Sequence, residues 1–246
     1  MFSFFQKKTP LTTIFPADFV DIHSHFLPNI DDGSKSMEES VTLLRRMQGY
    51  GIKNIICTPH VMESVWENSS ETIQHKLVAL QEHLKSIDFT GITIGAAAEY
   101  MLDANFDHLL KTEKLLTLKD NYILVELSFL NAPVNLYETL FNIQIAGYKP
   151  VLAHPERYSY FHNDFSAYTK LKAAGCLFQL NLLSLSNYYG SSVTAAALAL
   201  LKGKLFDFAG TDTHKHHHLD FLEKVDHDKT MKLIQPLLKA NAFFGK

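Results

Sequence analysis

His23 and His25 are the first residues of this chain whose types and spacing carry chemistry. They stand two apart at the end of the run Val20-Asp21-Ile22-His23-Ser24-His25, and Asp31-Asp32-Gly33 follows. In an extended strand, residues i and i+2 share a face, so both imidazoles can reach one ion. A nearby carboxylate can complete or bridge such a site. A solvated strand end with two surface histidines has the same local sequence, and this motif alone leaves both readings open. The pattern recurs down the chain. His60 follows the run 53–58, Glu99 follows 92–98, Glu126 follows 122–125, His154 follows 150–153, and Asp212 and His214 follow 206–209.

The elements that must position these residues are legible from periodicity. Short apolar runs predict seven strands, at 19–23, 53–58, 92–98, 122–125, 150–153, 177–182 and 206–209. Helical patterns fill the intervals at 36–48, 70–86, 106–110, 135–146, 165–174, 193–202 and 229–239. Ser36-Met37-Glu38-Glu39 reads as a capping box, with the Ser36 hydroxyl accepting from the Glu39 N–H and the Glu39 carboxylate reaching back. Alternating strands and helices imply a mainly parallel sheet. The polar residues then fall at the C-terminal strand ends, where barrels of this kind assemble their chemistry. A closed or nearly closed (β/α)7 barrel gathers them around one pit; an open sheet spreads them along a line. Residues 1–17 read as an extension outside the core, packing through its phenylalanines, and 18–246 as a single domain.

Composition removes several function classes. The chain has 246 residues, 46% hydrophobic, and a formal charge of −3. It has no basic run, so nucleic acid is a poor candidate partner. Cys57 and Cys176 are far apart, which points to a reducing, cytoplasmic setting without a disulfide framework. Neither heads a cysteine-x5-arginine loop, since position 63 is Glu and position 182 is Leu, so a cysteine-nucleophile phosphatase is disfavoured. The start lacks a signal h-region, and no window approaches the ~20 apolar residues of a membrane span.

With Asp21-Ile22-His23-Ser24-His25, Asp31-Asp32-Gly33, Thr58-Pro59-His60, Glu99, Glu126, His154-Pro155-Glu156-Arg157-Tyr158 and Asp212-Thr213-His214 in order over residues 20–214, the sequence resembles the polymerase-and-histidinol-phosphatase (PHP) superfamily. Within it the chain is most similar to the bacterial metal-dependent protein-tyrosine phosphatases of capsule and exopolysaccharide clusters. The resemblance implies a distorted, PHP-type (β/α)7 barrel, TIM-like, holding three divalent metal ions. It also implies phosphotyrosine on a protein as substrate, usually a tyrosine kinase of polysaccharide export. Its ligands map onto His23, His25, Asp32, His60, Glu99, Glu126, His154, Asp212 and His214, with Asp31 outside the ligand set. A nitrogen and oxygen set without sulfur suits manganese, with iron or zinc as alternatives.

Clustered cations bring the pKa of bound water from about 15.7 towards 7, so the implied chemistry is in-line attack of a metal-bound hydroxide on phosphorus. Arg157 is the candidate for binding the phosphate, against pairing with Glu156 at the surface. Trp66 and Tyr158 are each read either as stacking on the substrate ring at the rim or as packing. The family often carries an arginine shortly after the last motif; here Lys215 or a member of His216-His217-His218 stands instead. That triplet is read as a flexible neighbour of the site. His75 and His83 are read as solvated on their helix, and His108, His162 and His227 as surface or loop residues. Three rivals stay open: a small-molecule phosphatase such as one for histidinol phosphate, a PHP-type nuclease, and a non-catalytic metal-binding module. Oligomeric state is not legible.

Overall fold

Short apolar runs alternating with helices produce parallel strand pairs throughout. The computed structural model describes residues 10–225 and 228–245, which hold nine strands in two sheets. The smaller contains β1 (Val20–Asp21), β2 (Asn54–Cys57) and β4 (Thr93–Ala96), in that order. The larger runs through β3 (His60–Val61), β5 (Glu99–Met101), β6 (Tyr122–Glu126), β7 (Lys149–Ala153), β8 (Leu177–Asn181) and β9 (Phe208–Gly210). All seven expected runs form strands, and two further short strands, β3 and β5, begin just beyond the second and third runs. Pro59, which has no N–H to give a ladder, separates β2 from β3, and Ala97-Ala98 separates β4 from β5. The neighbours stay in register across the breaks. Ala97 N donates to Cys57 O at 2.8 Å and Glu99 N to Pro59 O at 3.1 Å.

The first and last strands are joined by bonds of a different kind. Above them, Asp212 N donates to His23 O (2.8 Å) and His25 N to Thr213 O (3.0 Å). Within them, the buried Asp21 carboxylate accepts from Thr211 N (2.9 Å) and Thr211 Oγ1 (2.6 Å). Below them, the fully buried Asn241 carboxamide donates to Val20 O and Ala209 O and accepts from Ala209 N. Side-chain amide and carboxylate thus satisfy backbone groups that short strands leave without ladder partners.

The helices lie where the apolar stripes put them: α1 (Met37–Gly49), α2 (Ser70–Ser86), α3 (Ala104–Thr112), α4 (Leu136–Ile145), α5 (Phe165–Ala173), α6 (Ser191–Lys202) and α8 (Asp228–Ala240). Glu39 N donates to Ser36 Oγ at 3.1 Å as expected, but the Glu39 carboxylate accepts from Lys35 N rather than from Ser36. A short α7 (His216–Leu222) was not expected. Its first turn is the histidine triplet; His218 is buried, His216 is partly buried and His217 is exposed.

Alternation along the strands divides the apolar residues. One face packs on the helices through Ile55, Cys57, Ile123, Val125, Leu152, Phe178 and Leu180. The other forms a smaller cluster of Val20, Ile22, Ile56, Ala97, Leu124, Val151 and Ala153, with Phe244 among them. Glu126, Gln179 and Asn181 share the parity of that second face, one step nearer the strand ends. Leu11 departs from the expectation that 1–17 lies outside the core: it is fully buried, and its N–H donates to Val225 O at 2.7 Å. The phenylalanines at 2, 4 and 5, and His227, lie outside the described residues. Among the described residues no helix is long and apolar enough to cross a membrane.

Candidate metal centre

All nine expected ligand residues come together in one cluster: six line a pit, and His23, His25 and Glu99 are buried against them. They fall into four interlocking groups whose ligand atoms lie within 4.8 Å of one another: His25, Asp32, His60 and His214; His23, His154 and Asp212; His23, His25 and Glu99; and His60, Glu99 and Glu126. Glu99 is the hub. Its Oε2 lies 3.1 Å from His23 Nε2, 3.2 Å from His60 Nδ1 and 3.5 Å from His25 Nε2, while Oε1 lies 3.0 Å from His154 Nε2. Asp212 Oδ1 makes a second centre, 3.3 to 3.5 Å from His23, His25 and His214. Asp32 reaches His60 and His214 from the solvent side.

Outer partners orient the imidazoles. Gln179 Nε2 donates to Leu180 O, so its Oε1 takes the proton of His23 Nδ1 at 2.8 Å. Asp31 Oδ2 accepts from His25 Nδ1 at 2.7 Å. Both bonds leave Nε2 with its lone pair facing the pit. His23 Nε2, His25 Nε2, Glu99 Oε2 and His154 Nδ1 are buried without a hydrogen-bond partner among the described residues. Buried polar atoms are rarely left so. Convergent orphaned donors in a nitrogen and oxygen set are what divalent ions require, and these residues fit them.

Close approach explains two glycines. A Cβ on Gly33 would stand 2.2 Å from His25 O and 2.5 Å from His25 Cβ, and one on Gly210 would stand 2.7 Å from His23 Cβ. Gly33→Ala therefore pushes the aspartate loop off His25. We expect its Mn²⁺ affinity, measured by titration calorimetry, to fall about 10- to 100-fold, as when a ligand loses its orienting partner. His154 and Asp212 hold φ of 37° and 50°, left-handed values that non-glycine residues seldom adopt.

The charges of His23, His25, His60, Glu99 and Asp212 support one another, whereas burial and the Glu99 charge push Glu126 up, and burial and Arg157 push His154 down to about 4. Burial alone would lower His23, His25 and His60, yet facing carboxylates raise all three: Glu99 and Asp212 act on His23, Asp31 on His25, Glu126 and Glu99 on His60. Burial would raise Glu99 and Asp212, yet the imidazoles, His23 foremost, hold both well below the ordinary range. Raised imidazoles contribute stability that is full below their unfolded value of 6.5 and is lost as pH climbs through the folded values. Lowered carboxylates contribute stability that is lost as pH falls below their unfolded values of 3.8 and 4.5. The chelator-treated protein should therefore have its highest Tm at about pH 5–6. Mn²⁺ competes with the same protons, so its gain in Tm should grow from pH 6 to pH 8. Scanning calorimetry across that range tests both; a chelated protein as stable at pH 8 as at pH 5.5 would contradict the assignment.

The pit has a volume of about 250 Å³, and Phe129, Arg157, Tyr188, Tyr189, Lys215 and His218 complete its walls. Arg157 does not pair with Glu156 at the surface. It donates to Asp212 Oδ2 at 2.9 Å, while Glu156 is fully buried and accepts from Asn181 N and Ser184 Oγ. Tyr158 is not at the rim: it is fully buried, donates to Ala153 O (3.1 Å) and accepts from Leu127 N (2.9 Å). Trp66 is half-buried in the turn it closes with Met62 and does not line the pit. Lys215 and His218 do line it; burial, with His214 beside it, pushes His218 down to about 4, so it is neutral at pH 7. His75 and His108 are exposed, and His162 donates to Glu156 O away from the pit.

Sequence reasoning gave no role to Gln179, Asn181, Phe129, Tyr188 or Tyr189. The first two carried a signal, two polar residues with the same parity in the apolar run Leu177–Asn181. The aromatic residues stand in loops, where no periodicity marks them.

Four known proteins or families resemble this chain in sequence or fold. Tyrosine-protein phosphatase YwqE of Bacillus subtilis (strain 168) is 30% identical over 196 residues, 79% of this chain and 77% of its own. A structure from the work on YwqE of B. subtilis and CpsB of Streptococcus pneumoniae, described as unique metal-dependent tyrosine phosphatases, superposes with a TM-score of 0.76. It is 28% identical and covers 88% of this chain and 85% of its own. Histidinol phosphate phosphatase of Lactococcus lactis, 14% identical, shares the fold with a TM-score of 0.53 over 91% of this chain and 94% of its own. The sequence model for capsular polysaccharide synthesis, CpsB/CapC, matches residues 19–221. The chain therefore belongs to the CpsB/CapC family of capsular polysaccharide synthesis.

Proposed function

We propose that this protein hydrolyses phosphotyrosine on proteins, with a tyrosine kinase of polysaccharide export as the physiological substrate. The observation that carries the reading is the convergence of nine ligand-type side chains in one cluster, at the pit that Arg157 lines. His23, His25, Asp32, His60, Glu99, Glu126, His154, Asp212 and His214 would hold three divalent ions, manganese by preference and iron or zinc otherwise. When bound, such ions bring the pKa of water towards about 7 and neutralise phosphoryl oxygens as charge spreads over them. The two sheets, linked at both flanks of β1, are read as one distorted (β/α)7 barrel. Residues 18–246 are read as its single catalytic domain and 1–17 as an extension to it.

The chain's own residues account for the rest. Asp31 and Gln179 keep a proton on Nδ1 of His25 and His23, so Nε2 of each is free. Arg157 presents guanidinium N–H groups in the pit wall, suited to bidentate contact with phosphate. Phe129 and Tyr189 offer ring faces beside it. A phenolate leaving group, with a pKa near 10, needs little help to depart. Burial pushes both cysteines up to about 12 and neither lines the pit, so hydrolysis does not call on a thiolate. Two buried free cysteines also suit work in the cytoplasm.

Initial rates on phosphotyrosine peptides, phosphoserine peptides and histidinol phosphate, with Mn²⁺ and with a chelator, test this. Metal-dependent turnover strongly favouring phosphotyrosine, and lost in His154→Ala, is expected. Preference for histidinol phosphate would assign the site to a small molecule instead.

A further inference from the structure

Three loops converge on the guanidinium of Arg157. Its carbon lies 4.6 Å from the ring centroid of Phe129, in the loop after β6, and 4.1 Å from that of Tyr189, in the loop after β8. Its Nη1 is bonded to Asp212, after β9. Tyr189 is itself tethered, because Asn181 Nδ2 donates both to its phenol oxygen (3.1 Å) and to Asp212 Oδ2 (2.6 Å). Asp212, Asn181, Tyr189 and Arg157 therefore close a ring of contacts. Among the described residues Asp212 is the guanidinium's one hydrogen-bond partner, and its other N–H groups have none.

We propose that Phe129 and Tyr189 are positioning residues: they hold the plane of Arg157 so that its free edge meets the substrate phosphate. The inference rests on Arg157 as the phosphate contact of the proposed function. Aromatic rings attract a guanidinium through its faces, whereas phosphate is bound along its edge. Rings that hold the faces leave the edge free and restrict rotation of a long side chain before substrate arrives, which is preorganisation. An ammonium in place of the guanidinium is still drawn to the rings but has no plane for them to orient, so the orienting part of the clamp is lost with lysine.

The test uses the Mn²⁺-loaded full chain with Tyr189→Leu, Phe129→Leu, Tyr189→Phe, Arg157→Lys, and each leucine substitution combined with Arg157→Lys. The readouts are KM and kcat on a phosphotyrosine peptide, the dissociation constant of inorganic phosphate by calorimetry, and Mn²⁺ content. Each leucine variant should weaken phosphate binding and raise KM about tenfold, with kcat and Mn²⁺ content little changed. Tyr189→Phe, which keeps the ring, should recover most of that loss. In the Arg157→Lys background the leucine substitutions should add less than about twofold, the signature of a shared contact. An undiminished tenfold loss in that background, or a loss that follows Mn²⁺ content, overturns the proposal. Phosphate calorimetry reads the clamp even if phosphotyrosine is not turned over, and that outcome would count against the substrate reading alone. Phe129 is a half-exposed loop residue, so its variant keeps the test sound should Tyr189→Leu fold poorly.

Discussion

Glu99→Gln should reduce metal-dependent turnover by at least about a thousandfold, well beyond the 10- to 100-fold typical of residues that only orient a ligand. Glu99 is the first residue of β5, wholly buried, and its two oxygens lie within 3.5 Å of four imidazoles, those of His23, His25, His60 and His154. A carboxamide has the same shape but removes one negative charge and turns an acceptor into an N–H₂ donor facing imidazole nitrogens. Two of the four ligand groups contain this residue, so its loss removes an anionic oxygen from both at once. The checks are kcat on a phosphotyrosine peptide, Mn²⁺ stoichiometry by elemental analysis, and circular dichroism to show that the fold persists. A variant that keeps full Mn²⁺ content and ordinary turnover would remove Glu99 from the centre of the site.

Tyr158→Phe should do the opposite: cost stability and spare substrate binding. The phenol bridges Ala153 O at the end of β7 and Leu127 N just after β6. Removing it strands a donor and an acceptor in a fully buried place, which costs about 1–3 kcal/mol. For a chain of this size that is a fall in Tm of roughly 2–4 °C per kcal/mol. The ring that packs beside His154 and Phe129 is retained, so KM for a phosphotyrosine peptide should stay within about twofold of wild type. A large rise in KM with unchanged Tm would return Tyr158 to the rim. Denaturant unfolding alongside steady-state kinetics decides it.

Much of this site could be read before folding. Eight of the nine ligand-type residues stand at or just after the end of a short apolar run, and strand periodicity is local; Asp32 lies in a loop that periodicity does not mark. Parallel connection by helices then forces every such end to the same side of the sheet. The helices and the alternation of β and α therefore came from near neighbours in the chain, whereas the ligand set itself came from the family resemblance.

What only the tertiary structure decided was which side chains meet once the strand ends converge. Arg157 pairs with Asp212 and not with its neighbour Glu156. Tyr158, next to a pit residue, turns inward because β6 and β7 leave a donor and an acceptor for its hydroxyl. His154 and Asp212 take left-handed backbone angles, which Asp and His tolerate better than most residues but which no local signal assigned to these two positions. The chain re-enters a second sheet at His60–Val61 and Glu99–Met101, two short strands that periodicity did not show. The physical reason is the same in each case. Periodicity reports the face a residue takes on its own element, whereas contacts between loops depend on distances set by the whole packed core, and no local spacing encodes those.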